Sequence, residues 1–553
     1  MARILIVEDD RDQLLLRRLI LERAGHAVAA VASPAEALEA VRSAPAGQAF
    51  QGVVMDLRLP AAGDGRALIR ELKALLPDLP IIVLSGRLQE FSATPESGQV
   101  LAALAKPVRT ENLLKTLARL AAPLCLALLS LIPAPAQSRD FTFQAPSRGE
   151  VVAELRLASP GSDWAAGGRE AAMATLTLDG SARQQVLVFG GPAERVYNVF
   201  LGELAPGAHT LRVERDAALS ARGSGLAIAD ATFQPLASGD PRAVAVAHAP
   251  VLLARADTIG GFTDVPLLAY YTRGRDAGGP WLEYTVIFSN EDGGTSTRDL
   301  MARWGRTTDI EYIYRVWLDA RGEPAKTLIQ TRDHRDVPYE GPRFGRHPVL
   351  VPVTDNNMVE PAPPGPAPIR YQLVPVPADL EAGSRESVMD LHPVTYLVAS
   401  KELRREAKLR PPAAFEGEKI ADPRHYLMVE MKVQSENAAV QILLRRRNST
   451  LWQGSALGIG KDFIERSGWA RTAIELPPGT KPSDIAEIGA QCLSRRDLER
   501  QPVPKNGRCR LEAFGKIFFL GEDYVPRPPL ALPRLPSGGW PLKVGEMSSM
   551  TLP

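Results

Sequence analysis

At 553 residues, with 65 basic against 64 acidic side chains, the chain is too long for one core and has no net field to draw it to nucleic acid. The usual domain size implies three or four domains, and there is no basic tail. All seven tryptophans and all eleven tyrosines follow residue 120, and residues 1–120 hold only Phe50 and Phe91 as aromatics, so the two parts differ in make-up.

In the first part, short apolar runs alternate with amphipathic helical patterns, as in a parallel sheet covered on both faces. Ile4–Val7 is the first expected strand, followed by a helix from about Asp12 that stops at Gly25. His26–Val31 is the second, and Ser33-Pro34-Ala35-Glu36 is a helix start with a serine cap, a first-turn proline and a capping-box glutamate. Val53–Met55 is the third strand, Arg66–Leu76 the helix after it, and Ile81–Leu84 the fourth strand. Leu101–Ala105, weak in β-branched residues, is the fifth, placed by the Lys106-Pro107 pair after it, and Thr110 caps a last helix. The segment Leu88–Gly98 is polar and contains Pro95, which predicts a short or irregular fourth helix.

Polar residues stand where these strands end: Glu8 and Asp9, Asp56, Ser85, and Lys106-Pro107. In an open α/β sheet those ends meet at one edge, where ligands bind. Three carboxylates brought together repel unless a cation joins them, and hard oxygen ligands suit Mg²⁺. An ammonium and a hydroxyl beside them supply what a transferred phosphoryl group needs, so the chemistry favours phosphoryl transfer to a carboxylate.

The strings ILIVEDD, VVMDLRLP, IIVLSG and LAKP, in this order over residues 1–120, resemble the response-regulator receiver family. The resemblance implies a five-stranded, doubly wound, flavodoxin-like fold in which Asp56 accepts a phosphoryl group from a histidine kinase or phosphotransfer protein. It further implies that Glu8, Asp9 and Asp56 hold Mg²⁺ and that Ser85 and Lys106 contact the phosphoryl oxygens. One position departs from the family: the aromatic switch usual three residues before the lysine is Ala103 here, which puts the usual output route in doubt.

Between Lys115 and Gln137 the chain resembles a secretory signal in an unusual place. Lys115 and Arg119 flank the apolar run Leu120–Ile132, and Ala134-Pro135-Ala136 is a small-x-small cleavage pattern. Its apolar core is short for a stable span, which leaves a cleaved signal, a membrane attachment at Leu120–Ile132, or an apolar last helix entering a linker.

Beyond the junction, short alternating strands separated by Gly, Pro and Asn turns predict β-sandwich domains at 138–240 and 416–526, with a β-rich domain at 246–415 between them. The layout loosely resembles carbohydrate-binding modules, which makes a polysaccharide or surface ligand one expectation. In the string GRTTDIEYIYRV, strict alternation puts Asp309 and Glu311 on one strand face; with His334 and His347 downstream they are a second candidate metal site. Cys492 and Cys509 are a candidate disulfide closing a surface loop, worth about 3 kcal/mol on the chain-entropy view and suited to an oxidising compartment. Residues 527–553, rich in proline, are expected to form an extended tail.

No helix-turn-helix with a basic recognition helix, cyclase string, Walker loop or catalytic Ser/His/Asp set is visible, so a nucleic-acid partner is not expected. Three readings remain open at this point. One is a cytoplasmic receiver fused to an exported β-rich region. Another is a periplasmic or secreted β-sandwich protein joined to a receiver by gene fusion or a misread frame. A wholly cytoplasmic chain is a third.

Overall fold

Five apolar runs, all but the last containing β-branched residues, become the parallel strands β1 (Arg3–Val7), β2 (Ala27–Val31), β3 (Gly52–Asp56), β4 (Ile81–Ser85) and β5 (Ala102–Ala105). Their spatial order is β2-β1-β3-β4-β5. The runs are continuous because both faces are buried: Leu5, Val7, Val53, Met55, Ile81 and Val83 enter one core, while Ile4, Ile6, Val54, Ile82 and Leu84 enter the other. The helices α1 (Arg11–Arg23), α2 (Pro34–Arg42) and α3 (Gly65–Leu75) intervene in the chain. At α2 the predicted cap forms: Ser33 Oγ accepts from the Glu36 amide at 3.3 Å, and the Glu36 carboxylate accepts from the Ala32 amide at 2.8 Å. Where the fourth helix was expected to be irregular, Pro95–Gln99 is a 3₁₀ turn, and Glu96 pairs with Arg70 of α3.

The computed structural model describes residues 3–552 except 24–25, 44–49, 60–64, 77–78, 87–89, 92–93, 107, 109–112, 114–115, 118–137, 238, 292, 366, 368, 413–416, 456–462, 495–505 and 532–533. The chain divides into two units, residues 1–134 and 135–553. Both the cap at Thr110 and the signal-like run Leu120–Ile132 lie outside the described residues. Among the described residues, no helix is long and apolar enough to cross a membrane.

The second unit is mainly antiparallel sheet. Residues 138–235 form a three-stranded and a four-stranded sheet whose inner faces share a core around Leu155, Leu176, Val199 and Leu211. Residues 251–377 add a six-stranded and a five-stranded sheet. Residues 426–551 form two four-stranded sheets around Val429, Ile442, Ile488 and Ile517. These regions share cores: Val152, Trp164 and Phe200 pack in one cluster with Tyr284, Tyr314 and Val398, and Tyr270, Ile310 and Tyr396 in another with Met428, Ala473 and Phe518.

One expectation is corrected here. The proline-rich end is not only a tail, because Trp540–Lys543 pairs with the strand Arg508–Phe519 and Met547–Thr551 with Ile485–Ser494. Proline composition obscured strands whose edges do not require every N–H. The Cys492–Cys509 disulfide links the two sheets of this last region, with both residues in its core.

A charged layer lies inside the second unit. Arg471, fully buried, donates to Asp390 at 2.8 Å, to Glu430 at 3.0 Å and to the Tyr396 hydroxyl at 2.9 Å. Removing one member of such a set strands the others without solvent. We therefore expect Arg471→Met to destabilise residues 135–553 by about 3–5 kcal/mol, read as a lower denaturant midpoint, whereas Arg508→Met, whose ion pair is exposed, changes it by less than about 1 kcal/mol.

Candidate functional site

Parallel register brings the strand ends to one edge, since Val7 pairs with Met55, Asp56 with Leu84 and Ser85 with Ala105. Glu8 is fixed by its amide, which donates to Val31 O at 3.2 Å, and Lys106 by its amide, which donates to Ser85 O at 2.9 Å. Glu8, Asp9 and Asp56 each offer one carboxylate oxygen, and these lie within 4.8 Å of one another. The Lys106 ammonium donates to Asp56 Oδ2 at 2.6 Å and stands 3.5 Å from Glu8 Oε2. Asp56 Oδ1 accepts from the Arg58 amide at 3.2 Å. Ser85 ends the neighbouring strand, buried with 3% of its surface exposed.

The loop after Asp56 returns through a close approach. Gly65 donates its amide to Leu57 O at 3.1 Å, and a Cβ there would lie 2.5 Å from the same oxygen, so only glycine fits where α3 begins.

Sequence reasoning missed one residue of the site. Arg17 of α1 pairs with Glu8, and its side chain is 8% exposed. It lies on the inward stripe Leu14, Arg17, Leu21, where the spacing of three and four residues was the available signal. Burial lowers its pKa, and the charge of Asp56 opposes that shift.

The second candidate site is not assembled. His334 is exposed in a turn at φ 54°. His347 is buried, its ring Nδ1 is 2.8 Å from Ala249 O, and it stacks on Phe200 with centroids 4.3 Å apart. A bulge at Ile313, where Tyr284 pairs with Tyr314 and Thr285 with Tyr312, interrupts the alternation assumed for this strand. Asp309 is buried against Asn357, which donates to it at 3.1 Å, and lies 3.8 Å from Arg306. Among the described residues, only Glu8, Asp9 and Asp56 converge as a group of three or more such ligands.

Asp309 and Glu311 instead hydrogen-bond to each other. Burial, then the charge of Asp309, pushes Glu311 up to about 8 and Glu291 up to about 7. Arg306 and Arg385 oppose the shift at Glu311. Because these values exceed the unfolded value of 4.5, the folded chain retains protons that the unfolded chain has lost, and the carboxyls' stabilisation fades as pH rises from 4.5 to about 8. Glu311→Gln removes the share of this dependence that Glu311 carries. In thermal melts the variant is expected to gain on the wild type as pH is raised from 5 to 8.5, and a constant difference across that range would contradict the assignment.

The chain matches the response regulator receiver domain family over residues 4–118. It is 39% identical over 84 residues to the C4-dicarboxylate transport transcriptional regulatory protein DctD of Rhizobium meliloti (strain 1021), covering 15% of this chain and 17% of that relative. It is 28% identical over 162 residues to the transcriptional regulatory protein ZraR of Escherichia coli (strain K12), covering 28% of this chain and 35% of the relative. The chain thus spans a minor part of each curated relative. Among solved structures it is similar to the receiver domain of sensor histidine kinase PA1611 from Pseudomonas aeruginosa PAO1, at 29% identity and a TM-score of 0.20, covering 21% of this chain and 95% of that one. Residues 4–118, with their acidic edge and its lysine, are a response regulator receiver domain.

Proposed function

We propose that this chain is a phosphoacceptor of a two-component relay, with Asp56 receiving a phosphoryl group from the phosphohistidine of a sensor histidine kinase or phosphotransfer protein. The observation that carries this reading is Lys106 Nζ at 2.6 Å from Asp56 Oδ2, inside a cluster of three carboxylates. In the transfer, an Asp56 carboxylate oxygen attacks phosphorus, the P–N bond to the donor breaks, and the imidazole leaves with the bonding pair and takes a proton. Lys106 holds the acceptor oxygen in place beforehand and offers its N–H groups to the phosphoryl oxygens afterwards. The Ser85 hydroxyl lies on the strand beside Asp56, where it serves the same oxygens.

Receiver domains bind Mg²⁺ at an acidic site, and the hard, all-oxygen set of Glu8, Asp9 and Asp56 fits that ion. When bound, Mg²⁺ offsets the negative charge of acceptor and phosphoryl group. Signalling then proceeds without the usual aromatic switch, because Ala103 of β5 fills its position with a half-buried methyl.

For residues 135–553 the reading is a β-rich module held outside the cytoplasm, with the receiver inside. It is supported by the buried Cys492–Cys509 disulfide, since such bonds persist in oxidising compartments. A polysaccharide or surface ligand is the expected binding partner of that module.

Labelled acetyl phosphate with Mg²⁺ is expected to phosphorylate the wild-type chain, with Asp56→Asn losing at least about 100-fold of the incorporation and Lys106→Ala retaining part of it. Antibodies to residues 1–120 and to the last third should detect one full-length membrane-associated band in fractionated cells. A shorter C-terminal band outside the cytoplasm would mean that the junction is cleaved, and a soluble full-length band would contradict export.

A further inference from the structure

Glu8 Oε2 is shared by two cations. Lys106 approaches it across the edge of the sheet at 3.5 Å, and Arg17 reaches the same oxygen from α1. Neither partner is free to leave into bulk water cheaply: Glu8 is 1% exposed, and the Arg17 side chain 8%. A second tie holds the guanidinium, whose Nη2 lies 3.4 Å from Gln13 Oε1 one turn back on α1. Arg17 also sits within electrostatic reach of Asp56, so its charge acts on the acceptor as well as on Glu8.

Charge counting shows what this does to the site. Three carboxylates and Lys106 alone would leave two net negative charges, and Arg17 leaves one. A divalent cation entering the cluster then meets half the net field, and Glu8 Oε2, one of the oxygens it would draw on, is already engaged. In a partly buried cluster the screening by water is weak, so one extra positive charge within a few ångströms is costly to the incoming ion.

We propose that Arg17 is a built-in counter-charge that occupies Glu8 and sets the divalent-metal affinity of the acidic edge. It is a positioning residue: it binds no phosphoryl group and acts through Glu8. With the metal absent it relieves the repulsion among the three carboxylates; with the metal present it must yield Glu8 or leave the ion to Asp9 and Asp56. The proposal rests on the reading of Glu8, Asp9 and Asp56 as the metal-binding edge of a receiver.

Binding of Mn²⁺ to the full-length chain tests it, followed by the loss of the free-ion electron paramagnetic resonance signal, with Asp9→Ala marking which ion belongs to the edge. Arg17→Met is expected to tighten the Asp9-dependent ion by about tenfold or more, and Arg17→Lys, which keeps the charge, to stay within about threefold of wild type. Arg17→Gln carries the same expectation as Arg17→Met and guards against a variant that fails to fold. If wild type binds one Asp9-dependent ion and both neutral variants bind it no more tightly, the role of Arg17 is overturned and the metal reading stands. If no Asp9-dependent ion binds to wild type or to either neutral variant, both are overturned.

Discussion

Mutual repulsion among Glu8, Asp9 and Asp56 is the constraint that the first unit is built to withstand. Their oxygens converge within 4.8 Å, a spacing that the unfolded chain has no reason to sample. Parallel pairing of β1, β3 and β4, locked by cores on both faces, forces the approach, and Lys106 and Arg17 offset it. The energy stored in that arrangement is what a divalent cation or a phosphoryl group with its countercharge can exploit.

Much of this edge was legible because the first four strands announce themselves as apolar runs, the fifth is marked by the Lys106-Pro107 pair, and the polar side chains of the edge stand at the strand ends. Glu8, Asp56, Ser85 and Lys106 are placed by the sheet, so local patterning sufficed. Arg17 was less visible. A charged residue within a helix is ordinarily a solvated one, and only its position between Leu14 and Leu21 on the inward stripe marks it as belonging to the edge. Asp309, Glu311, His334 and His347 illustrate the opposite failure. Their residue types suit a metal, but long-range packing decides their fate: Asp309 and Glu311 bond to each other, a backbone carbonyl claims His347, and His334 turns to solvent. Neither bulges nor such pairings have a signature in a single sequence.

The two units solve the problem of buried charge differently. In residues 135–553 the carboxyls Asp390 and Glu430 are paired with Arg471, whereas burial pushes Glu291 and Glu311 towards their protonated forms. Protons and arginines therefore balance the interior of the second unit, while the first keeps its acids together at an edge beside cations that can be rearranged. That difference explains why one acidic cluster is suited to transient chemistry and the other to cohesion. The same contrast bears on Cys492 and Cys509, whose link across two sheets belongs to the cohesive half.

The central claim is that Asp56 is the acceptor, and the most direct measurement is to phosphorylate the full chain with acetyl phosphate, reduce it with borohydride and locate the reduced residue by mass spectrometry. An aspartyl phosphate is reduced to homoserine, so the account predicts homoserine at position 56 and at no other acidic position of the edge. Homoserine at Glu8 is chemically excluded, and its appearance at Asp9 instead, or an unmodified chain under conditions that phosphorylate other receivers, would contradict the account.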